Sequence, residues 1–211
     1  MPDKKPDRDQ MLDKAYTVET NEEVEQLYRE WADRYDTDTV GRFGYVAPKL
    51  AADAFARHSR DRDRPVVDLG CGTGLSGEAL AAHRFTIIDG VDLSRDMLDQ
   101  AEAKGIYRRL IQADLSDRLP IEDAVYLGGL SVGTFTHGHV GPEGLDEALR
   151  ILKPGAVFTF TVNEGVWAEQ HFPGKLEALE TEGKAAVLEM GETDYLRAQG
   201  INCVLVTLKT G

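Results

Sequence analysis

The run Val66-Val67-Asp68-Leu69-Gly70-Cys71-Gly72-Thr73-Gly74 constrains the fold of this chain more than any other segment. An apolar strand runs into glycines at alternate positions, which tolerate positive φ and allow a ligand to come where a Cβ atom would otherwise stand. Good helix formers follow from Leu75 to Ala82, so the turn feeds a helix whose N-terminal amides face the same crevice. Beyond it strand and helix patterns alternate. Strands are expected near Thr86 to Val91, Arg109 to Gln112, Ala124 to Leu127 and Ala156 to Val162. Helices are expected from Ser94 to Lys104, stopped by Gly105, and from Pro142 to Leu152, stopped by Lys153-Pro154-Gly155. Such alternation predicts an α/β fold on one doubly wound, mostly parallel sheet. A helix near Gly174 to Glu182 and an antiparallel strand pair, Ala186 to Met190 with Cys203 to Lys209, complete the pattern.

Ahead of the core, residues 1–20 read as a flexible segment, rich in proline and mixed charge. Asn21 is placed as the N-cap of a helix reaching about Tyr35, with Val24, Leu27, Tyr28, Trp31, Ala32 and Tyr35 on one face. A second helix covers about Tyr45 to His58. With 211 residues and 42% hydrophobic content, the chain suits one domain over 21–211, its helical part at 21–60 and its core at 65–211. The opening residues carry no secretory pattern and no apolar run reaches membrane-span length, so a cytoplasmic location is expected, without a membrane partner. Cys71 and Cys203 fall on distant elements and are expected to be reduced. A formal net charge of −13 disfavours a nucleic-acid partner, and the basic cluster from Arg57 to Arg64 is interrupted by Asp61 and Asp63.

Two ligands fit the glycine turn. Gly72-Thr73-Gly74-Leu75-Ser76-Gly77 satisfies the G-x-G-x-x-G pattern of dinucleotide sites, with Asp92 at the expected distance, which keeps an NAD(P)-binding oxidoreductase open. Asp68, two residues before the first glycine, suits an amino group better than a pyrophosphate. At this point the sequence resembles the class I S-adenosylmethionine-dependent methyltransferases, on Asp68-Leu69-Gly70-Cys71-Gly72-Thr73-Gly74, on Asp92 in Ile88-Asp89-Gly90-Val91-Asp92-Leu93-Ser94, and on Gln112-Ala113-Asp114-Leu115. The resemblance implies a Rossmann-like domain with S-adenosylmethionine as cofactor. Asp68, Gly70, Cys71, Gly72, Thr73 and Gly74 would wrap its methionine part. Asp92 would take both ribose hydroxyls, for which a carboxylate is a charge-assisted acceptor. Leu93, Met97, Ala113, Asp114 and Leu115 would hold the adenine, with Gly129 and Leu130 also beside the cofactor.

Tyr28-Arg29-Glu30-Trp31-Ala32-Asp33-Arg34-Tyr35-Asp36 is similar to a lid segment of small-molecule methyltransferases, which would bring Tyr28, Trp31 and Tyr35 over the cofactor. Together with the stretch Gly128 to Val140 and Leu152-Lys153-Pro154-Gly155, it resembles the methyltransferase-like proteins related to the one encoded in the human Williams–Beuren deletion region. Ser131, Thr134, Asn163 and Trp167 are the candidates for contact with the methyl acceptor. His137 and His139, on a loop after the fourth strand, are the candidate bases, with a surface role as the alternative. No metal site is expected, since the His-x-His pair lacks a third ligand nearby in sequence. Asp-Pro-Pro-Tyr and its Asn variant, typical of amino-directed DNA, RNA and protein methyltransferases, are absent after that strand, so the resemblance implies a small-molecule acceptor or one methylated at oxygen, carbon or carboxylate. The alternatives are the oxidoreductase and a non-catalytic binder of the same cofactor.

Overall fold

The computed structural model describes residues 10–18 and 20–211; the expected flexibility of residues 1–9 lies outside them. Seven strands form one sheet: β1 (Val66–Leu69), β2 (Ile88–Asp92), β3 (Arg109–Gln112), β4 (Tyr126–Phe135), β5 (Leu152–Asn163), β6 (Ala185–Leu196) and β7 (Ile201–Thr210). Their order is β3-β2-β1-β4-β5-β7-β6. The first five pair in parallel, and β7 runs antiparallel to both β5 and β6. This is the doubly wound sheet with an antiparallel C-terminal pair that the alternation of elements predicts.

Both faces of the sheet are covered. On one, Leu145, Ala148 and Ile151 of α6 (Gly144–Ile151) and Phe172, Leu176 and Leu179 of α8 (Phe172–Thr181) pack on Phe158, Phe160 and Val206. On the other, Ala51 and Phe55 of α3 (Ala47–His58) and Leu80 of α4 (Leu75–Ala82) pack on Val66, Leu130, Val157 and Leu205. Alternate residues of β5 go to opposite faces, as the two-residue period of a strand requires.

Three local expectations need correction. Residues Gln10–Ala15 form a helix, α1, whose Leu12 is buried against the second cluster, so the segment before residue 20 is not wholly flexible. Helix α2 (Asn21–Asp36) is capped by Thr20, one residue earlier than expected. The Thr20 hydroxyl accepts from the Glu23 amide and the Glu23 carboxylate accepts from the Thr20 amide, each at 3.3 Å, a reciprocal pair that satisfies two otherwise unpaired donors. The fourth strand does not end at Leu127. It continues through Gly128 and Gly129 to Phe135, because a Cβ at Gly128 would fall 2.5 Å from the Phe55 ring and one at Gly129 2.9 Å from Phe158. These glycines admit aromatic packing on both faces of a central strand rather than a turn.

Candidate active site

Strand β1 ends at Leu69, and the turn after it is held on β2 because the amides of Gly70 and Cys71 both donate to the Val91 carbonyl, at 2.8 and 3.0 Å. Gly70, Gly72 and Gly74 all have positive φ, +68°, +53° and +95°. At Gly72 a Cβ would meet nothing within 4 Å and would project into the cavity that this residue lines. Gly74 and Gly77 serve packing instead: a Cβ on either would press on Tyr107.

The cavity lies at the carboxyl edge of β1, β2 and β4. Its floor carries Asp92, whose Oδ2 accepts from the Gly72 amide at 2.7 Å and whose Oδ1 accepts from the Ser94 amide at 2.9 Å. A carboxylate oxygen has two lone-pair directions, so each keeps one for a ligand after these bonds. Burial pushes the Asp92 carboxyl above the usual carboxylate range, against the pull of its backbone partners. Beyond Asp92, Leu93, Met97, Ala113 and Leu115 form an apolar slot, with Asp114 at its rim accepting from the Ser116 amide at 2.7 Å. Met97 is set by α5 (Arg95–Ala103), where the Ser94 hydroxyl caps the first turn by accepting from the Met97 amide at 3.3 Å.

Helix α2 roofs this cavity. Tyr28 and Tyr35 line it, their rings edge to face at 6.0 Å. The helix is fastened to the glycine turn through Asp36, which accepts from the Thr73 hydroxyl at 2.5 Å and pairs with Lys104 at 2.8 Å. Gln100 donates to Asp33 at 3.0 Å, tying the roof to α5. Trp31, though its ring meets Tyr35 edge to face at 4.9 Å, does not line this cavity. It is buried, and its indole N–H donates at 3.0 Å to Asp38 in the π-helical turn Thr37–Arg42, away from the cofactor cavity.

Several other expected site residues lie off this cavity. Asp68 is buried beneath the turn, accepting from the Tyr107 hydroxyl at 2.7 Å on one oxygen while the other has no partner, and burial raises its carboxyl to about 7. Cys71 is enclosed, and burial first, then Asp92 and Asp68, hold its thiol well above the usual range, so it is no nucleophile. Thr73 and Gly74 face the roof and Tyr107. Gly129 and Leu130 are interior to β4, and Ser131 is a buried staple that donates to the Leu69 carbonyl at 2.8 Å. Asn163 caps the short helix α7 (Glu164–Trp167) by accepting from the Gly165 amide at 2.9 Å, and Trp167 stacks on Phe172 at 6.1 Å, within the packing of the far face. Thr134 does line the cavity.

The two histidines separate. His137 packs on Tyr16, ring centroids 5.6 Å apart, and off the cavity. His139 lines it: its Nδ1 lies 2.7 Å from the His137 carbonyl and its Nε2 3.1 Å from the Tyr28 hydroxyl. A carbonyl only accepts, so Nδ1 carries the proton and Nε2 accepts from Tyr28. Burial holds this imidazole below its usual range, in the neutral form. Sequence reasoning missed Val24, Gly133 and Val140 as further lining residues; the positive φ of Gly133, +82°, leaves no trace in the sequence beyond the glycine itself.

Fold and site together define an α/β domain with a ligand cavity at the carboxyl edge of its sheet: a glycine turn, a carboxylate at the end of the second strand, and an apolar slot at the third. The donor set fits S-adenosylmethionine, since Asp92 keeps two acceptor positions inside the cavity and Gly72 leaves space that a side chain would fill. A family model described as "Methyltransferase domain" matches residues 66–155. Methyltransferase-like protein 27 of Homo sapiens is 36% identical over 138 residues, 64% of this chain and 56% of its own length. O-methyltransferase resE of Aspergillus sclerotiorum is 25% identical over 60% of this chain and 48% of its own length. Among solved structures, the [4+2]-cyclase SpnF superposes with a TM-score of 0.69 at 17% identity, covering 92% of this chain and 97% of that one, a likeness of fold alone. Residues 66–155 carry a methyltransferase domain, and the chain is similar to the class I S-adenosylmethionine-dependent methyltransferases. It spans about half the length of the curated relatives it matches.

Among the described residues no cluster of three or more His, Cys, Asp or Glu could hold a metal ion, and no helix is long and apolar enough to cross a membrane.

Proposed function

We propose that this protein transfers the methyl group of S-adenosylmethionine to a small-molecule acceptor. The observation that carries this reading is Asp92, a half-buried carboxylate that lines the cavity and whose two oxygens accept from the Gly72 and Ser94 amides. When bound, the cofactor supplies an electrophilic methyl on a sulfonium. The residues of the chain would bind, orient and enclose. Asp92 would hold the ribose diol, the slot of Met97, Ala113 and Leu115 the adenine, and the backbone at Gly70 and Gly72 the amino-acid part. Tyr28 and Tyr35 close the roof, which excludes water from a reaction whose rate comes chiefly from positioning.

A small acceptor is supported by the tyrosines of α2 that roof the cavity and by the net charge of −13, adverse to a nucleic acid. The human relative's name specifies no acceptor, whereas the fungal relative is an O-methyltransferase. Because one fold serves many chemistries, the activity is tested by catalysis as well as by binding. Titration calorimetry should show tight binding of S-adenosylhomocysteine and none of NADH or NADPH. Transfer of labelled methyl from S-adenosylmethionine to one member of a metabolite library should follow. Binding of NADH in place of S-adenosylhomocysteine would overturn the proposal, and cofactor binding without transfer across the library would leave a non-catalytic binder.

A further inference from the structure

A second chamber opens off the first on the far side of Tyr28 and Tyr35, sharing these residues, Gly133 and His139 as a common wall. Its other walls combine aliphatic and threonine side chains with four aromatic ones: Tyr16 after α1, Trp31 on α2, Tyr45 before α3 and Tyr195 at the end of β6. Among the described residues lining it, none carries an Asp, Glu, Lys or Arg side chain. The hydroxyls of Tyr45 and Tyr195 converge over Gly133, where a Cβ would lie 2.8 and 2.9 Å from them, so only glycine leaves the seam between the chambers open. Burial raises the Tyr28, Tyr35, Tyr45 and Tyr195 hydroxyls far above the usual tyrosine range and keeps His139 neutral. The chamber is therefore uncharged at neutral pH.

Such walls select among acceptors. A carboxylate or phosphate would lose hydration there with no cation to replace it, which disfavours it. A planar ring, by contrast, meets edge-to-face partners of its own kind, as Tyr45 meets Tyr195 at 5.0 Å and Trp31 meets Tyr35 at 4.9 Å. The polar requirement is set at Tyr28. Its proton is committed to His139 Nε2, itself fixed as an acceptor by the His137 carbonyl, so toward a ligand the Tyr28 oxygen can only accept. A ligand hydroxyl matches it, and an ether or bare ring does not.

From this geometry we infer that the tyrosine-lined chamber is the acceptor site and takes an uncharged aromatic compound bearing a hydroxyl group, recognised by Tyr28. The inference rests on the methyltransferase reading above, because the chamber has a function only beside a filled cofactor cavity.

The test titrates the full chain, saturated with S-adenosylhomocysteine, with four probes of one size by calorimetry: phenol, anisole, benzoate and benzylamine. Phenol should bind about tenfold or more tightly than the other three, and Tyr28→Phe should bring phenol to the level of anisole. Ala15→Phe, which adds a ring to the chamber wall, should abolish phenol binding while leaving S-adenosylhomocysteine affinity within about twofold. Thr136→Leu, on another wall, should give the same loss if Ala15→Phe does not fold. Preference for benzylamine or benzoate, or phenol binding indifferent to both wall variants, would overturn the inference and leave the methyltransferase reading intact. Failure of S-adenosylhomocysteine itself to bind would overturn both.

Discussion

Asp92→Ala removes the group on which the proposed cofactor recognition turns, and its effect can be worked from the site. The native carboxylate has two lone-pair directions left for the ribose after the Gly72 and Ser94 amides, at 2.7 and 2.9 Å, have used the others. A hydrogen bond to a charged acceptor contributes about 1.5–3 kcal/mol. Two would total about 3–6 kcal/mol, and water entering the space left by the carboxylate recovers part of this. A net loss of about 3 kcal/mol corresponds to roughly a hundredfold weaker binding of S-adenosylhomocysteine. The same change strands the Gly72 and Ser94 amides, which lowers stability by about 1–3 kcal/mol per unpaired donor, moderated by relief of a buried charge. Calorimetry gives the affinity and thermal unfolding the stability. Asp92→Asn separates the two effects, since it keeps one acceptor for the amides and loses the charge; its affinity should fall between wild type and Asp92→Ala. An Asp92→Ala protein that is folded and binds within threefold of wild type would refute the reasoning.

Other consequences follow from the same geometry. Asp68 has a folded-state carboxyl raised from 3.8 to about 7, so the native state holds its proton more tightly than the unfolded chain; this stabilisation is full below pH 3.8 and is lost as pH rises through about 7. Asp68→Asn mimics the protonated form, and its melting temperature relative to wild type should rise between pH 5 and pH 8; parallel curves would contradict the assignment. Gly72→Ala should cost about 1–2 kcal/mol for a residue held at φ +53° and should weaken S-adenosylhomocysteine further, because its methyl projects into the cavity. Asp36→Ala cuts the tie to Thr73 and Lys104, so hydrogen exchange in the last turns of α2 should quicken while β1 and β4 keep their protection. Equal protection in both proteins would show that the roof is held by its apolar face alone.

The core was legible because its signals are local. Glycines at 70, 72 and 74 follow an apolar strand, and each helix–strand alternation carries its own period, so a mostly parallel sheet and the placing of Asp92 and Asp114 at or just past strand ends follow from pattern. What escaped was set by distant partners. Gly128 and Gly129 lie past the expected strand end at Leu127, yet they continue the strand, where Phe55 of α3 and Phe158 of β5 pack against them. Trp31 shares its helical stripe with Tyr28 and Tyr35, but Asp38 draws its indole elsewhere. Helix α1 is six residues long, too short to show a period, and its Leu12 is buried in a cluster that distant elements complete, α2 packing on α1 directly. The second chamber joins Tyr16, Tyr45 and Tyr195 from the two ends of the chain, a meeting that no spacing along the sequence encodes.

The central claim is that the carboxyl edge of β1 and β2 holds an S-adenosyl nucleoside through Asp92. A crystal structure of the complex with S-adenosylhomocysteine measures this directly. The account predicts both ribose hydroxyls within hydrogen-bonding distance of the Asp92 oxygens, with the adenine between Met97 and Leu115. Ribose hydroxyls bonded elsewhere, with Asp92 turned from the sugar, would contradict it.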